Sequence, residues 1–166
     1  MKKYFKTIGF CFLMLLASCQ TNTKQSTPMA SQTTVKTPST AALKEILTKQ
    51  GYQVFDYVDE VSGDTILMQQ YFMVFLKAGD NRSQSKEALD SLQKLHLAHL
   101  GKMYQKGYAD ISGPFGDEGP IRGVSIYNVP TFQMADSLAK ADPMVQSGRL
   151  QVEVHPWWAA KGFPLR

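Results

Sequence analysis

The stretch that decides the fold is YFMVFLKAGDNRSQSKEALDSLQKLHLAHLGKMYQKGYADIS, residues 71–112. Its first six residues, 71–76, are apolar or aromatic throughout, which is typical of a central strand covered on both faces. Over residues 83–106 the pattern changes to spacings of three and four, which predicts one long amphipathic helix. The stripe on this helix consists of Leu89, Leu92, His96, His99, Leu100 and Met103. Gly107 ends the helix, and residues 108–112 predict the next strand.

The remaining segments complete the order strand, helix, strand, strand, helix, strand. Residues 122–128 predict a strand, residues 132–141 a helix that Asp142-Pro143 terminates, and the alternating residues 150–155 a half-buried strand. This order is that of a split βαβ arrangement, so we expect an α+β ferredoxin-like sandwich with both helices on one sheet face. A short helix over 41–50 and a hairpin around Ser62-Gly63-Asp64 precede it. We therefore divide the folded part into an N-terminal extension, a domain and a C-terminal tail, at residues 41–70, 71–158 and 159–166.

The N-terminus has the three parts of a bacterial lipoprotein signal peptide over residues 1–19. Three lysines precede an apolar stretch of nine residues, which is too short to span a bilayer, where roughly 20 are needed. Leu16-Ala17-Ser18-Cys19 then fits the lipobox, so we expect Cys19 to become the lipidated N-terminus. An ordinary signal peptide or a buried helix is the alternative. Residues 20–40 are polar and predict a flexible tether.

Export changes the charge and thiol content of the mature chain. The precursor carries a net charge of +4, but loss of the three signal-peptide lysines leaves 15 basic against 14 acidic residues. This balance argues against nucleic-acid binding. Cys11 leaves with the signal peptide and Cys19 is acylated, so we expect neither a disulfide nor thiol catalysis. The chain is predicted to be anchored to a membrane of the bacterial cell envelope, and the absence of an acidic run after Cys19 favours the periplasmic face.

Several short motifs in the right order resemble the YCII-related (YciI-like) domain family. In chain order these motifs are His96-Leu97-Ala98-His99-Leu100, Gly107, Gly113-Pro114-Phe115, Ala141-Asp142-Pro143, Gly148-Arg149-Leu150 and His155-Pro156-Trp157. The resemblance covers residues 71–158 and implies a ferredoxin-like α+β fold that dimerises through its sheets. It also implies an enzymatic role for one His and one Asp. The family's His precedes the Gly-Pro pair by seventeen residues, which selects His96, and its Asp precedes Pro after the second helix, which selects Asp142.

Each member of this candidate catalytic pair also has a structural interpretation. His96 lies in the apolar stripe, where a core histidine bonded to backbone is the alternative to a general acid or base. Asp142 is predicted at a helix C-terminus, the end at which the dipole disfavours a carboxylate. It either stops the helix in an Asp-Pro turn or orients the imidazole of His96.

Other candidate residues are weaker. His99, one turn from His96, is a candidate ligand-binding or metal-binding group, although no third ligand is marked by spacing, so we expect no metal. Arg122, at the end of the Gly- and Pro-rich loop 113–123, offers a fixed cation to an anionic ligand. That loop is either a flap over a pocket or a plain connection. Trp157-Trp158 predicts an aromatic plug or dimer contact, and the acidic run 56–60 an exposed edge strand.

Two functions follow. The first is a membrane-tethered, cofactor-free enzyme of the isomerase or lyase type, acting on an unidentified small molecule through His96 and Asp142. The second is a non-catalytic envelope lipoprotein that binds a ligand or a protein partner. In both, the expected assembly is a homodimer.

Overall fold

A computed structural model of the chain describes residues 38–165. The predicted signal peptide with Cys19, and nearly all of the predicted tether, lie outside these residues and stay predictions. None of the helices found between residues 38 and 165 combines the length and the apolar character that crossing a membrane requires.

Five strands and four helices make up the described part of the chain. In chain order they are α1 (Thr40–Lys49), β1 (Val54–Val58), β2 (Thr65–Ala78), α2 (Lys86–Gln105), β3 (Ala109–Pro114), β4 (Ile121–Tyr127), α3 (Phe132–Lys140), α4 (Pro143–Gln146) and β5 (Leu150–Ala160). Every predicted strand and helix is present, and α4 is the one element that the sequence did not predict. Serine or threonine side chains cap the first three helices, at Ser39, Ser85 and Thr131.

All strands pair antiparallel in one sheet, with β2 at its centre. β5 pairs with β2 along residues 68–78, and β3 pairs with the far edge of β4. Because β5 fills one edge of β2, β1 and β4 share the other edge in tandem, along residues 65–69 and 72–77. Strands β2 to β5 therefore lie in the order β5-β2-β4-β3, which confirms the predicted ferredoxin-like α+β arrangement.

The core lies between the sheet and helices α2 and α3. Phe72, Val74 and Leu76 alternate along β2 on the helix side, and Met103 of α2 and Ala135 of α3 pack against them. The predicted stripe on α2 faces this core, since its two buried residues, His96 and Met103, both belong to the stripe. Burial of such apolar side chains stabilises the fold by roughly 25 cal/mol per Å².

The N-terminal extension packs around the β1–β2 end of the sheet. Lys44 of α1 pairs with Asp56 of β1, and the Tyr52 hydroxyl donates to the Asn128 carbonyl at 3.2 Å. Gln69 of β2 donates to the Asn128 side chain at 2.6 Å. β2 runs without a break through residues 70 and 71, so the extension is continuous with the sheet of the domain.

β5 extends beyond its predicted end at His155 and continues to Ala160. Pro156 does not interrupt it, because among the described residues β5 pairs only with β2, and a proline is tolerated on such an edge strand. Trp157 contacts Tyr71, and Trp158 packs edge-to-face on Phe55 of β1 with 5.0 Å between ring centroids. The tryptophans therefore join β5 to β2 and to the extension.

Candidate active site

The structure brings His96 and Asp142 into direct contact, although 46 residues separate them in sequence. Nδ1 of His96 lies 2.6 Å from Oδ2 of Asp142, which is the distance of a strong charge-assisted hydrogen bond. The two side chains are 11% and 2% exposed. An ionised carboxylate buried this deeply needs hydrogen-bond donors, and the imidazole supplies one of them.

Local folding fixes the position of each partner. His96 lies in the middle of α2, on the face that packs against the sheet. Asp142 is the N-cap of α4, and its Oδ1 accepts from the backbone N–H of Met144 at 2.8 Å. The predicted position of this carboxylate, at the unfavourable C-terminal end of a helix, is wrong. A new helical turn starts at Pro143, and the Asp142 carboxylate meets the backbone N–H groups at the start of that turn.

The contact also determines how protons are arranged on the imidazole. The oxygens of an ionised carboxylate only accept, so with Asp142 ionised the proton of the ring is assigned to Nδ1 of His96 as the donor. In the neutral ring, Nε2 then keeps its lone pair and is free to accept a proton. The negative charge of Asp142 also acts on Tyr127. Burial, and secondly this charge, raises the pKa of the Tyr127 phenol to about 12.

His96 forms part of the wall of a cavity of about 670 Å³ between α2 and the sheet. This volume is within the range of small-molecule sites, roughly 300–1,000 Å³. Asp142 does not line the cavity, so it touches the imidazole from behind. Because Nδ1 points to the buried Asp142, the other edge of the ring, with Nε2, faces the cavity. The pair can therefore take a proton from a bound molecule or give one to it.

The other predicted ligand-binding residues are placed differently. Arg122 of β4 lines the cavity, whereas His99 does not. The Nε2 atom of His99 is buried and makes no hydrogen bond to any part of the chain that the structure describes. Both ends of the loop 113–123 contribute to the wall through Gly113, Pro114 and Gly123, while its middle is mostly exposed.

Two arginines of the cavity wall were not predicted as site residues. Arg82 follows β2 and Arg149 directly precedes β5. The antiparallel pairing of these strands brings them to the same end of the sheet, where the N–H of Gly79 donates to the Arg149 carbonyl at 2.9 Å. No sequence motif connects the two positions, so only the register of β2 and β5 reveals their proximity.

The remaining candidates have structural contacts. The acidic run 56–60 belongs to the exposed strand β1 and its turn, where the side chain of Asp59 accepts from two backbone N–H groups. Neither tryptophan lines the cavity. Between residues 38 and 165, no group of three or more His, Cys, Asp or Glu side chains is arranged to hold a metal ion.

Comparison with known proteins gives one family match and a set of similar folds. The sequence profile described as the YCII-related domain matches residues 71–158, more than half of the chain. One solved structure that is similar is the 5-chloro-2-hydroxyhydroquinone dehydrochlorinase of Burkholderia phenoliruptrix, in complex with 2,5-dihydroxybenzoquinone. It is 20% identical in sequence, the match covers 52% of this chain and 92% of that one, and the TM-score is 0.41. A search of curated protein sequences finds no significant match.

Proposed function

This chain belongs to the YCII-related domain family, and from that premise we propose that it is an acid–base enzyme with His96 as its proton-transferring group and Asp142 as the orienting partner. The observation that carries the proposal is the buried contact of 2.6 Å between His96 Nδ1 and Asp142 Oδ2, behind a ring that lines a cavity. A histidine that served packing alone would need no carboxylate at its back and no open cavity in front.

The chemistry that this arrangement supports is proton transfer without a cofactor. Nε2 of His96 accepts a proton from an acidic C–H or O–H bond of the bound molecule. The imidazolium that forms is stabilised by the Asp142 carboxylate, which stays ionised. Returning the proton to another atom of the same molecule completes an isomerisation, and loss of a leaving group from the carbanion completes an elimination.

Deuterium exchange tests the proposal without knowledge of the natural substrate. Small carbon acids, such as hydroxylated aromatic ketones and cyclic enones, are incubated with the full-length chain in D₂O, and deuterium incorporation at carbon is followed by mass spectrometry. We expect at least one compound to exchange faster with the enzyme, and His96→Gln to lower that rate by about 10²–10⁴, the usual contribution of general acid–base catalysis.

The matched control is His155→Gln, because His155 is exposed on β5 and bonded to Glu153. Its exchange rate should equal that of the wild type. Equal exchange by wild type and His96→Gln across every compound that binds would contradict the enzymatic proposal. It would favour the second function, a non-catalytic lipoprotein that only binds its ligand.

We also propose that the chain is anchored in the cell envelope through a lipid on Cys19. The support is the signal-peptide pattern of residues 1–19 and its lipobox. Cells are grown with an alkyne-labelled fatty acid, and the chain is isolated and examined for the label. Wild-type chain should be labelled and recovered with membranes, and Cys19→Ser should lose both properties. A labelled Cys19→Ser chain would contradict the proposal.

A third proposal is that two copies associate through the sheet face turned away from α2 and α3. Side chains of alternate residues on neighbouring strands form this face, and they include Met73, Phe75, Ile111, Ile126 and Trp157. Ile111 and Trp157 are 42% and 40% exposed in the single chain. The Lys77–Glu153 ion pair shares this face, and exposed apolar side chains grouped on one sheet face mark an interaction site.

A further inference from the structure

All three arginines between residues 38 and 165 line the cavity into which His96 faces. They are Arg82 in the connection after β2, Arg122 on β4 and Arg149 directly before β5. The chain contains one other arginine, the last residue of the sequence. In contrast, none of the lysines between residues 38 and 165 lines this cavity.

None of the three arginines forms an ion pair within the described part of the chain. The seven contacts between acidic and basic side chains found there involve only lysines and histidines on the basic side. Asp90 is the only carboxylate on the cavity wall, and it is paired with Lys86 at 2.7 Å. Arg149 contacts a neutral partner, the Gln84 side chain, at 3.3 Å. The cavity therefore carries uncompensated positive charge.

The wall also has apolar parts. Leu89, Leu97 and Leu100 of α2 contribute there beside the polar Asp90 and Gln93, and Met144 of α4 and Leu150 of β5 add further apolar surface. Low-dielectric walls strengthen the field of the guanidinium groups inside the cavity. Guanidinium groups also hold carboxylates through two parallel hydrogen bonds, which a lysine cannot do. The combination suits a molecule that has acidic oxygens at one end and an apolar body at the other.

We propose that the cavity binds a small organic anion, with its carboxylate or other acidic oxygens held by Arg122 and Arg149, assisted by Arg82, and its apolar body against the leucines of α2. The inference rests on the proposed function, because this anion is the molecule that His96 would act on. Binding the acidic group at the arginines would place the remainder of the molecule beside the imidazole. Positive charge near the reacting carbon would also stabilise a carbanion or enolate as it forms.

Binding of matched pairs of probes to the full-length chain tests the inference. The carboxylates benzoate, phthalate and succinate are compared with their neutral amides by NMR titration, and inorganic phosphate is measured in parallel. We expect at least one carboxylate to bind ten times more tightly than its amide, and less tightly as salt is added. Arg122→Gln and Arg149→Gln should each weaken that binding about tenfold, because each removes a charge-assisted hydrogen bond. The affinity of Arg122→Lys for the carboxylate should lie between those of Arg122→Gln and the wild type.

Lys94→Gln is the matched control, since Lys94 is an exposed cation of α2 that does not line the cavity. It should bind the carboxylates as the wild type does, and thermal unfolding of each variant confirms that it is folded. The inference is wrong if amides bind as well as carboxylates, if the arginine variants bind like Lys94→Gln, or if phosphate alone binds. None of these outcomes concerns proton transfer by His96, which the deuterium-exchange rate reports separately. The two proposals can therefore fail independently.

Discussion

Replacing Asp142 with asparagine tests the geometry of the catalytic pair most directly. The side chain keeps its size, but the carboxylate uses two acceptor oxygens, one for His96 and one for the backbone N–H of Met144. An amide has one acceptor and one donor group. If the amide oxygen keeps the Met144 contact, the NH₂ group faces Nδ1 of His96. Nδ1 must then accept, and the ring proton moves to Nε2.

The structure sets the size of the effect on stability. Hydrogen bonds to charged groups contribute about 1.5–3 kcal/mol and neutral ones about 0.5–1.5 kcal/mol, so Asp142→Asn should lower the free energy of unfolding by about 1–2 kcal/mol. For a domain of this size, that corresponds to a decrease in Tm of roughly 3–10 °C. Asp142→Ala should lower the free energy of unfolding further, by about 3–5 kcal/mol, because it leaves both His96 and the Met144 N–H without a hydrogen-bond partner.

Two measurements test this prediction. Urea unfolding monitored by circular dichroism gives the free energy, and ¹⁵N NMR of the imidazole rings, recorded where they are neutral, gives the tautomer of His96. His155 serves as an internal reference because it is exposed and lies on another face of the sheet. The reasoning is refuted if Asp142→Asn leaves the His96 proton on Nδ1 and changes the unfolding free energy by less than about 0.5 kcal/mol, the range of an ordinary surface substitution.

Three further predictions concern the fold and the assembly. Folding raises the pKa of the Tyr127 phenol to about 12 from an ordinary value near 10. The neutral phenol therefore contributes fully to the free energy of unfolding below pH 10, and this contribution is lost as the pH rises towards 12. Between pH 10 and pH 12, the decrease in the free energy of unfolding should be about 2–3 kcal/mol smaller in Tyr127→Phe than in the wild type. The exposed control Tyr104→Phe should show the same decrease as the wild type, and a Tyr127→Phe decrease equal to that of the wild type would contradict the prediction. Phe55→Ala removes the contact with Trp158 and should lower the free energy of unfolding, measured with urea, by about 1 kcal/mol more than Tyr57→Ala on the same strand. An equal decrease in the two variants would show that the aromatic pair does not stabilise the fold. Ile111→Asp should halve the mass measured by light scattering if the open sheet face forms a dimer, while Tyr104→Asp on the opposite side should not; a wild type of single-chain mass would exclude the dimer.

The order of the domain elements could be predicted because two local signals agree. The unbroken apolar run of β2 indicates a central strand, and the stripe of α2 indicates a helix lying over it. The structure has both, and the stripe points to the core as expected. The end of β5 was less accessible to prediction. Pro156 looks like a boundary, and only the knowledge that β5 is an edge strand shows why the chain continues through it.

The site was predictable where the family pattern marks residues, and not where the fold alone brings them together. His96 and Asp142 lie in recognisable motifs, and the structure brings their side chains into contact, whereas their catalytic role stays a prediction. Arg82 lies in an unmarked connection and Arg149 in a short motif that names no site residue, and their shared position depends on the register of two strands. The helical turn α4 has only four residues, which is too short for a hydrophobic periodicity in the sequence. The Asp-Pro pair at its start is also indistinguishable in sequence from one that ends a helix.

Asp142 therefore has two roles that cannot be separated by removing it. Its Oδ1 caps the turn of α4, whereas its Oδ2 contacts His96, which it is proposed to orient, and α4 also supplies Met144 to the cavity wall. A loss of activity in an Asp142 variant would follow from either role. His96→Gln removes the imidazole and leaves the cap intact, so its stability cost reports only the buried contact. If Asp142→Ala and His96→Gln lose exchange activity to the same extent while only the first disturbs α4, the shared loss belongs to the orientation of the imidazole. A greater loss in Asp142→Ala would instead measure how much the site depends on the cap.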